Sequence, residues 1–61
     1  MELNIYLLKL RHEANLTIKE AAEKSGLTMG AINMWEIGSN GPGYFKLQKY
    51  LKIYGKEIKI V

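Results

Sequence analysis

The sequence predicts a mainly α domain of about four short helices followed by a short C-terminal β-strand, and three observations carry that expectation. Residues 17–36 read as helix, tight turn, helix, bounded by their own start and stop signals. Apolar residues recur at helical spacing on both sides of this stretch, and the last five residues alternate polar with apolar. Finally, 61 residues allow a single domain, 1–61, with one modest core, close to the lower size at which a chain folds unaided.

The first helix is expected over about residues 3–14, where Leu3, Tyr6 or Leu7, Leu10 and Ala14 form a stripe toward the core. Ile5 and Leu8 lie beside it, on a side too apolar for solvent, which fits either a wide core face or a subunit contact. His12 has no sequence neighbour that would make it a ligand or a base, so it is expected at the helix surface. The second helix starts at Ile18, because Thr17 and Glu20 make a capping box in which each side chain satisfies a backbone N–H of the other residue. Gly26 stops it by taking a positive φ, with Leu27 behind it as the hydrophobic contact. Thr28 caps a third helix that runs to Trp35 or Glu36 before Gly38 ends it. After the loop 39–43, Tyr44, Leu47, Tyr50 or Leu51 and Tyr54 recur every three or four residues and give a fourth helix that closes the core. The tyrosines are read as core-edge packing rather than stacking platforms for bases. Residues 57–61 are rich in β-branched side chains and alternate, which is strand-like.

Ala22 leaves room for close helix approach, Gly26 makes the turn, and Ile32 and Trp35 face inward together, so residues 17–36 make a helix-turn-helix. With Leu16-Thr17, Ala22-Glu23-Lys24, Gly26-Leu27-Thr28, Ile32, Trp35-Glu36, Gly38 and Pro42 at these spacings, the chain resembles the phage repressor and Cro-like helix-turn-helix family, whose fold is lambda-repressor-like. The similarity extends from Arg11 to Gly55. It implies an ion pair between Arg11 and Glu36, and a recognition helix over residues 28–35 that enters the major groove of double-stranded DNA. The family often carries long polar or basic side chains where this chain has Met29, Gly30 and Met34, and a phosphate-binding glutamine where it has Ile18. These departures bear on how DNA is held and leave the expected fold unchanged.

Three readings are open for Met29, Gly30, Ala31 and Met34: core, an apolar protein-docking face, or contact with thymine methyl groups, with Asn33 or Asn40 left for hydrogen bonds to a base. The last is favoured, since Gly30 costs helix stability and close approach of backbone to DNA is a plausible return. The resemblance adds Thr17 and Lys19 at the second helix, Thr28 at the third, Ser39 and Asn40 in the loop, and Lys46 at the start of the fourth helix as DNA contacts. It also implies a homodimer in which a C-terminal strand, as in certain antitoxins, pairs across a two-fold axis. Ile53, Ile58 and Ile60 would line that interface, with pairing to residues 1–4 of the same chain as the alternative.

Charge and composition narrow the function further. Nine basic against six acidic residues give +3, but residues 1–42 sum to −1 and residues 43–61 to +4, so the expected DNA-reading part is not itself basic. There is no cysteine and a single histidine, which excludes a disulfide framework and a thiolate or histidine metal cluster; no cofactor is expected. No nucleophile with a positioned base and no phosphate-cradling glycine motif is present, so an enzyme is not expected. The apolar run at the N-terminus is too short and interrupted for a signal peptide or membrane span, and a cytoplasmic protein with no membrane partner is expected. The reading is a sequence-specific repressor-like regulator acting as a homodimer on a two-fold operator. Its rival is an antitoxin or anti-regulator whose main partner is a toxin or another regulatory protein.

Overall fold

The computed structural model of the chain describes residues 3–58. They form four helices: α1 (Leu3–Glu13), α2 (Ile18–Ser25), α3 (Met29–Glu36) and α4 (Tyr44–Lys52). α3 packs against α1 and α2, and α4 closes on α2. The core draws a pair from each helix: Leu7 and Leu10, Ala21 and Ala22, Ile32 and Trp35, Tyr50 and Leu51. Trp35 and Tyr50 meet edge to face with ring centroids 5.7 Å apart, an arrangement that suits the aromatic quadrupoles.

Each helix boundary has a local chemical cause. The Thr17 hydroxyl accepts the Glu20 N–H at 3.1 Å while Glu20 Oε1 accepts the Thr17 N–H at 2.9 Å, completing the capping box. That backbone N–H, and then the Thr17 side chain, hold the Glu20 carboxyl below its ordinary range. A carboxyl with a lowered folded-state pKa supports the fold above its unfolded pKa, and the support is lost as pH falls through the lowered value. Thr28 caps α3 in the same way, accepting the Ala31 N–H at 3.1 Å.

The helices end on residues of positive φ: Asn15, Gly26, Gly38 and Gly55. After α1 the Leu16 N–H reaches back to Arg11 O at 3.1 Å and the Asn15 N–H to His12 O at 3.0 Å. This is a Schellman closure built on asparagine, one of the few side chains that tolerate the left-handed region. The same pair of bonds closes α3 around Gly38, from Ser39 to Met34 and from Gly38 to Trp35. Gly38 has a further reason to lack a side chain, because a Cβ there would lie 3.3 Å from Asn4 Nδ2.

Several sequence expectations change. Leu3 and Ala14 are exposed rather than core: Leu3 is the first described residue of α1, and Ala14 has already left the helix for the closing turn. Ile5 is 56 % exposed and Leu8 half-buried, so this side of α1 is not a widened core face. Tyr44, expected in the core, is exposed and sits edge-on to Phe45, because the first residue of α4 extends past the body of the fold. No strand occurs among the described residues, and Glu57 and Ile58 are irregular. The Ile58 N–H is instead taken by Gln48 Oε1 at 2.7 Å, which folds the segment back onto α4 of its own chain. The alternative strand partner at residues 1–4 is overruled where it is described, since Leu3 and Asn4 are helical. The rest of the expected strand, including Ile60, lies outside the described residues.

Candidate nucleic-acid interface

Successive residues of an α-helix advance by about 100°, and this decides what α3 can present. On a helical projection, Met29, Asn33, Ile37, Gly30 and Met34 fall within about 140° of arc, and all five are exposed. Ala31, Trp35, Ile32 and Glu36 occupy the opposite arc and are buried, or half-buried in the case of Ala31. The core reading of Met29, Gly30 and Met34 is therefore set aside: the methionines are 51 % and 41 % exposed, and space beyond the Gly30 backbone is open. Ala31 is separated from them, packing against the core beside Trp35.

The inner arc is held by a charged clamp. Arg11 donates from Nε to Glu36 Oε2 at 2.7 Å and from Nη2 to Glu36 Oε1 at 2.9 Å, a bidentate pair between α1 and the end of α3. Arg11 Nη1 also donates to Leu16 O at 2.8 Å, so one guanidinium ties the turn after α1 to α3. The pair is sheltered, with side chains 11 % and 6 % exposed. The bond to Glu36 is the main reason that the Arg11 pKa rises above its ordinary value. Beside this pair the Tyr54 hydroxyl donates to the Tyr50 hydroxyl at 2.7 Å, and burial pushes both phenols up. On the other side of α3, buried Ser25 donates to Ala21 O at 2.7 Å and accepts the Leu27 N–H at 3.3 Å, fixing the turn that aims α3.

The remaining expected contacts form the rim. Thr17, Lys19, Thr28, Ser39, Asn40 and Lys46 are all exposed. Thr17 and Thr28 spend their hydroxyl oxygens as acceptors in the caps, leaving each O–H to donate. The N–H groups of Ser39 and Asn40 return to Met34 O, and that of Gly41 goes to Asn40 Oδ1. Outward donors in this loop are therefore side chains, Ser39 Oγ and Asn40 Nδ2. Gly43 starts α4 without a side-chain cap, so the first N–H groups of that helix stay available to an acceptor. Lys49, read as part of a solvated face, instead carries its ammonium to the end of α2, where a Cβ on Gly26 would lie 3.3 Å from Nζ. A cation there complements the helix dipole. Of the expected subunit contacts, Ile53 and Ile58 are half-buried against their own core.

Sequence reasoning missed two exposed apolar residues. Ile37, 65 % exposed, extends the outer arc of α3; its position four residues after Asn33 and seven after Gly30 was the available signal. Phe45, 84 % exposed, stands beside the loop and Lys46, and no periodicity singled it out.

Among the described residues no helix is long and apolar enough to cross a membrane. A helix-turn-helix family model matches residues 7–61. The chain is similar to the HTH-type transcriptional regulator PuuR of Escherichia coli (strain K12), with 43 % identity over 49 residues, covering 80 % of this chain and 26 % of the relative. The same regulator from Shigella flexneri matches with the same identity and coverage. The chain thus spans about a quarter of the length of these curated relatives.

Proposed function

Since the chain belongs to the helix-turn-helix family, we propose that it is a sequence-specific DNA-binding transcriptional regulator, repressor-like in action, that places the outer arc of α3 in the major groove. The observation that carries this reading is the division of α3 into a clamped inner arc and an exposed outer arc of Met29, Asn33, Ile37, Gly30 and Met34. The relatives named as transcriptional regulators support it. Thr17, Lys19, Thr28, Ser39, Asn40 and Lys46 would fix the phosphate backbone and so set register, while the outer arc would specify bases. Met29 and Met34 would meet thymine methyl groups and Asn33 would form a hydrogen bond. We further propose that two copies bind a two-fold operator, the closed arrangement most common among oligomers.

Selection of bound sequences from a random duplex pool, at a stated salt concentration, tests the reading. An enriched palindrome is expected. Absence of any enrichment across moderate salt overturns it and favours a protein partner for the apolar arc.

Salt dependence gives a second check. With Lys19 and Lys46 as the cations of the rim, the slope of log affinity against log salt for a dimer should be shallow, on the order of −2 to −5 at about 0.9 per neutralised phosphate. Lys46→Ala should make it shallower still. A much steeper slope would mean that Lys52 or Lys56 also reaches phosphate, and the docking orientation would have to be turned.

A further inference from the structure

On the outer arc of α3, four of the five side-chain positions, Met29, Gly30, Met34 and Ile37, offer no hydrogen-bonding group, and the fifth is Asn33. No acidic or basic residue stands on the arc. Gly30 has no structural reason to be glycine: it is not among the positive-φ residues and a Cβ built on it meets nothing within 4 Å. It leaves a bare notch of backbone bounded one turn on by Asn33 and Met34. With open space above it and exposed Met29 and Met34 on either side, this bare backbone leaves room for a methyl group to approach. In the major groove the methyl on offer is at C5 of a pyrimidine.

We propose that this notch reads the C5-methyl group itself, so that 5-methylcytosine is accepted in place of thymine and cytosine methylation of a bound site raises affinity. The inference rests on the DNA-binding reading above. Thymine and 5-methylcytosine share the methyl and differ beside it, an O4 acceptor in one and an N4 amine donor in the other. Discriminating them takes a side chain of fixed polarity, such as a carboxylate for the amine or a cation for the carbonyl. Asn33 carries both a carbonyl and an amide NH₂ and can meet either base by turning its amide over. Specificity at this position therefore falls on the methyl.

The experiment uses the duplex enriched from the random pool. At each thymine in turn, uracil replaces thymine to remove only the methyl; at the same positions, cytosine and 5-methylcytosine paired with guanine are compared. Binding should weaken roughly fourfold for each buried methyl that is lost, and 5-methylcytosine should exceed cytosine by a similar factor at the same position. Gly30→Ala fills the notch without disturbing the helix, and should bring both ratios toward one while the protein remains folded by circular dichroism. If a sequence is enriched but uracil and cytosine bind as well as their methylated counterparts, or the half-site holds no thymine, the inference is overturned and the regulator reading stands. If no sequence is enriched, both fall.

Discussion

Glu36→Ala is expected to cost about 3–5 kcal/mol, because it leaves the Arg11 guanidinium sheltered from water without its carboxylate. A domain of this length has roughly 3–9 kcal/mol of total stability at the usual 0.05–0.15 kcal/mol per residue. The loss is thus at least about a third of the total, and urea titration followed by circular dichroism should show the unfolding midpoint falling by at least that fraction. The bidentate geometry, with bonds of 2.7 and 2.9 Å, makes the loss larger than that of a surface pair. Removing both charges should hurt less than removing one. The double variant Arg11→Met with Glu36→Leu replaces the pair by apolar volume and should recover much of the loss, as buried pairs exchanged for packed hydrophobes often do. Its deficit should come from the Leu16 carbonyl, which then has no guanidinium donor. If Glu36→Ala proves neutral, the pair is not what joins α1 to α3.

Trp35→Ala should be as severe, at about 3–5 kcal/mol for a large aromatic removed from a core. Trp35 is 4 % exposed, and its loss also deprives Tyr50 of its edge-to-face partner. In a domain this small each kcal/mol lowers Tm by roughly 4–8 °C, so thermal melting should show a drop well above 10 °C for any value in that range. The neighbouring Met34→Ala should lower stability by less than about 1 kcal/mol, as befits a side chain mostly clear of the core. Met34→Ala should instead relax preference at one base position by about 1 kcal/mol in competition binding. A large stability loss from Met34→Ala with unchanged site preference would mean that α3 is rotated so that Met34 faces the core.

The starts and stops of α2 and α3 were legible in the sequence because the groups that make them lie within six residues of one another. A threonine hydroxyl that accepts a backbone N–H three residues on, or a glycine that turns left-handed behind a helix, needs no other part of the chain. The Arg11–Glu36 pair spans 25 residues and was still anticipated, but only through resemblance; nothing in the charge pattern alone pairs those two.

What the tertiary structure alone decided is how far each helix extends beyond its neighbours and which way its ends face. Periodicity assigned Leu3, Ala14 and Tyr44 to the core because it assumes a partner along the whole helix, and at these ends the partner has run out. The same limit hid Ile37 and Phe45, whose exposure depends on where α3 and α4 leave the packed body. Residues 57–58 alternate like a strand, yet one side-chain acceptor on α4, Gln48, takes the backbone donor of Ile58 that a ladder would have used. Lys49 likewise reaches the end of α2 only because α4 packs against that helix. Local hydrogen bonding within a turn was fixed by the order of residues, whereas contacts between helices depended on crossing geometry that no short stretch of this chain encodes.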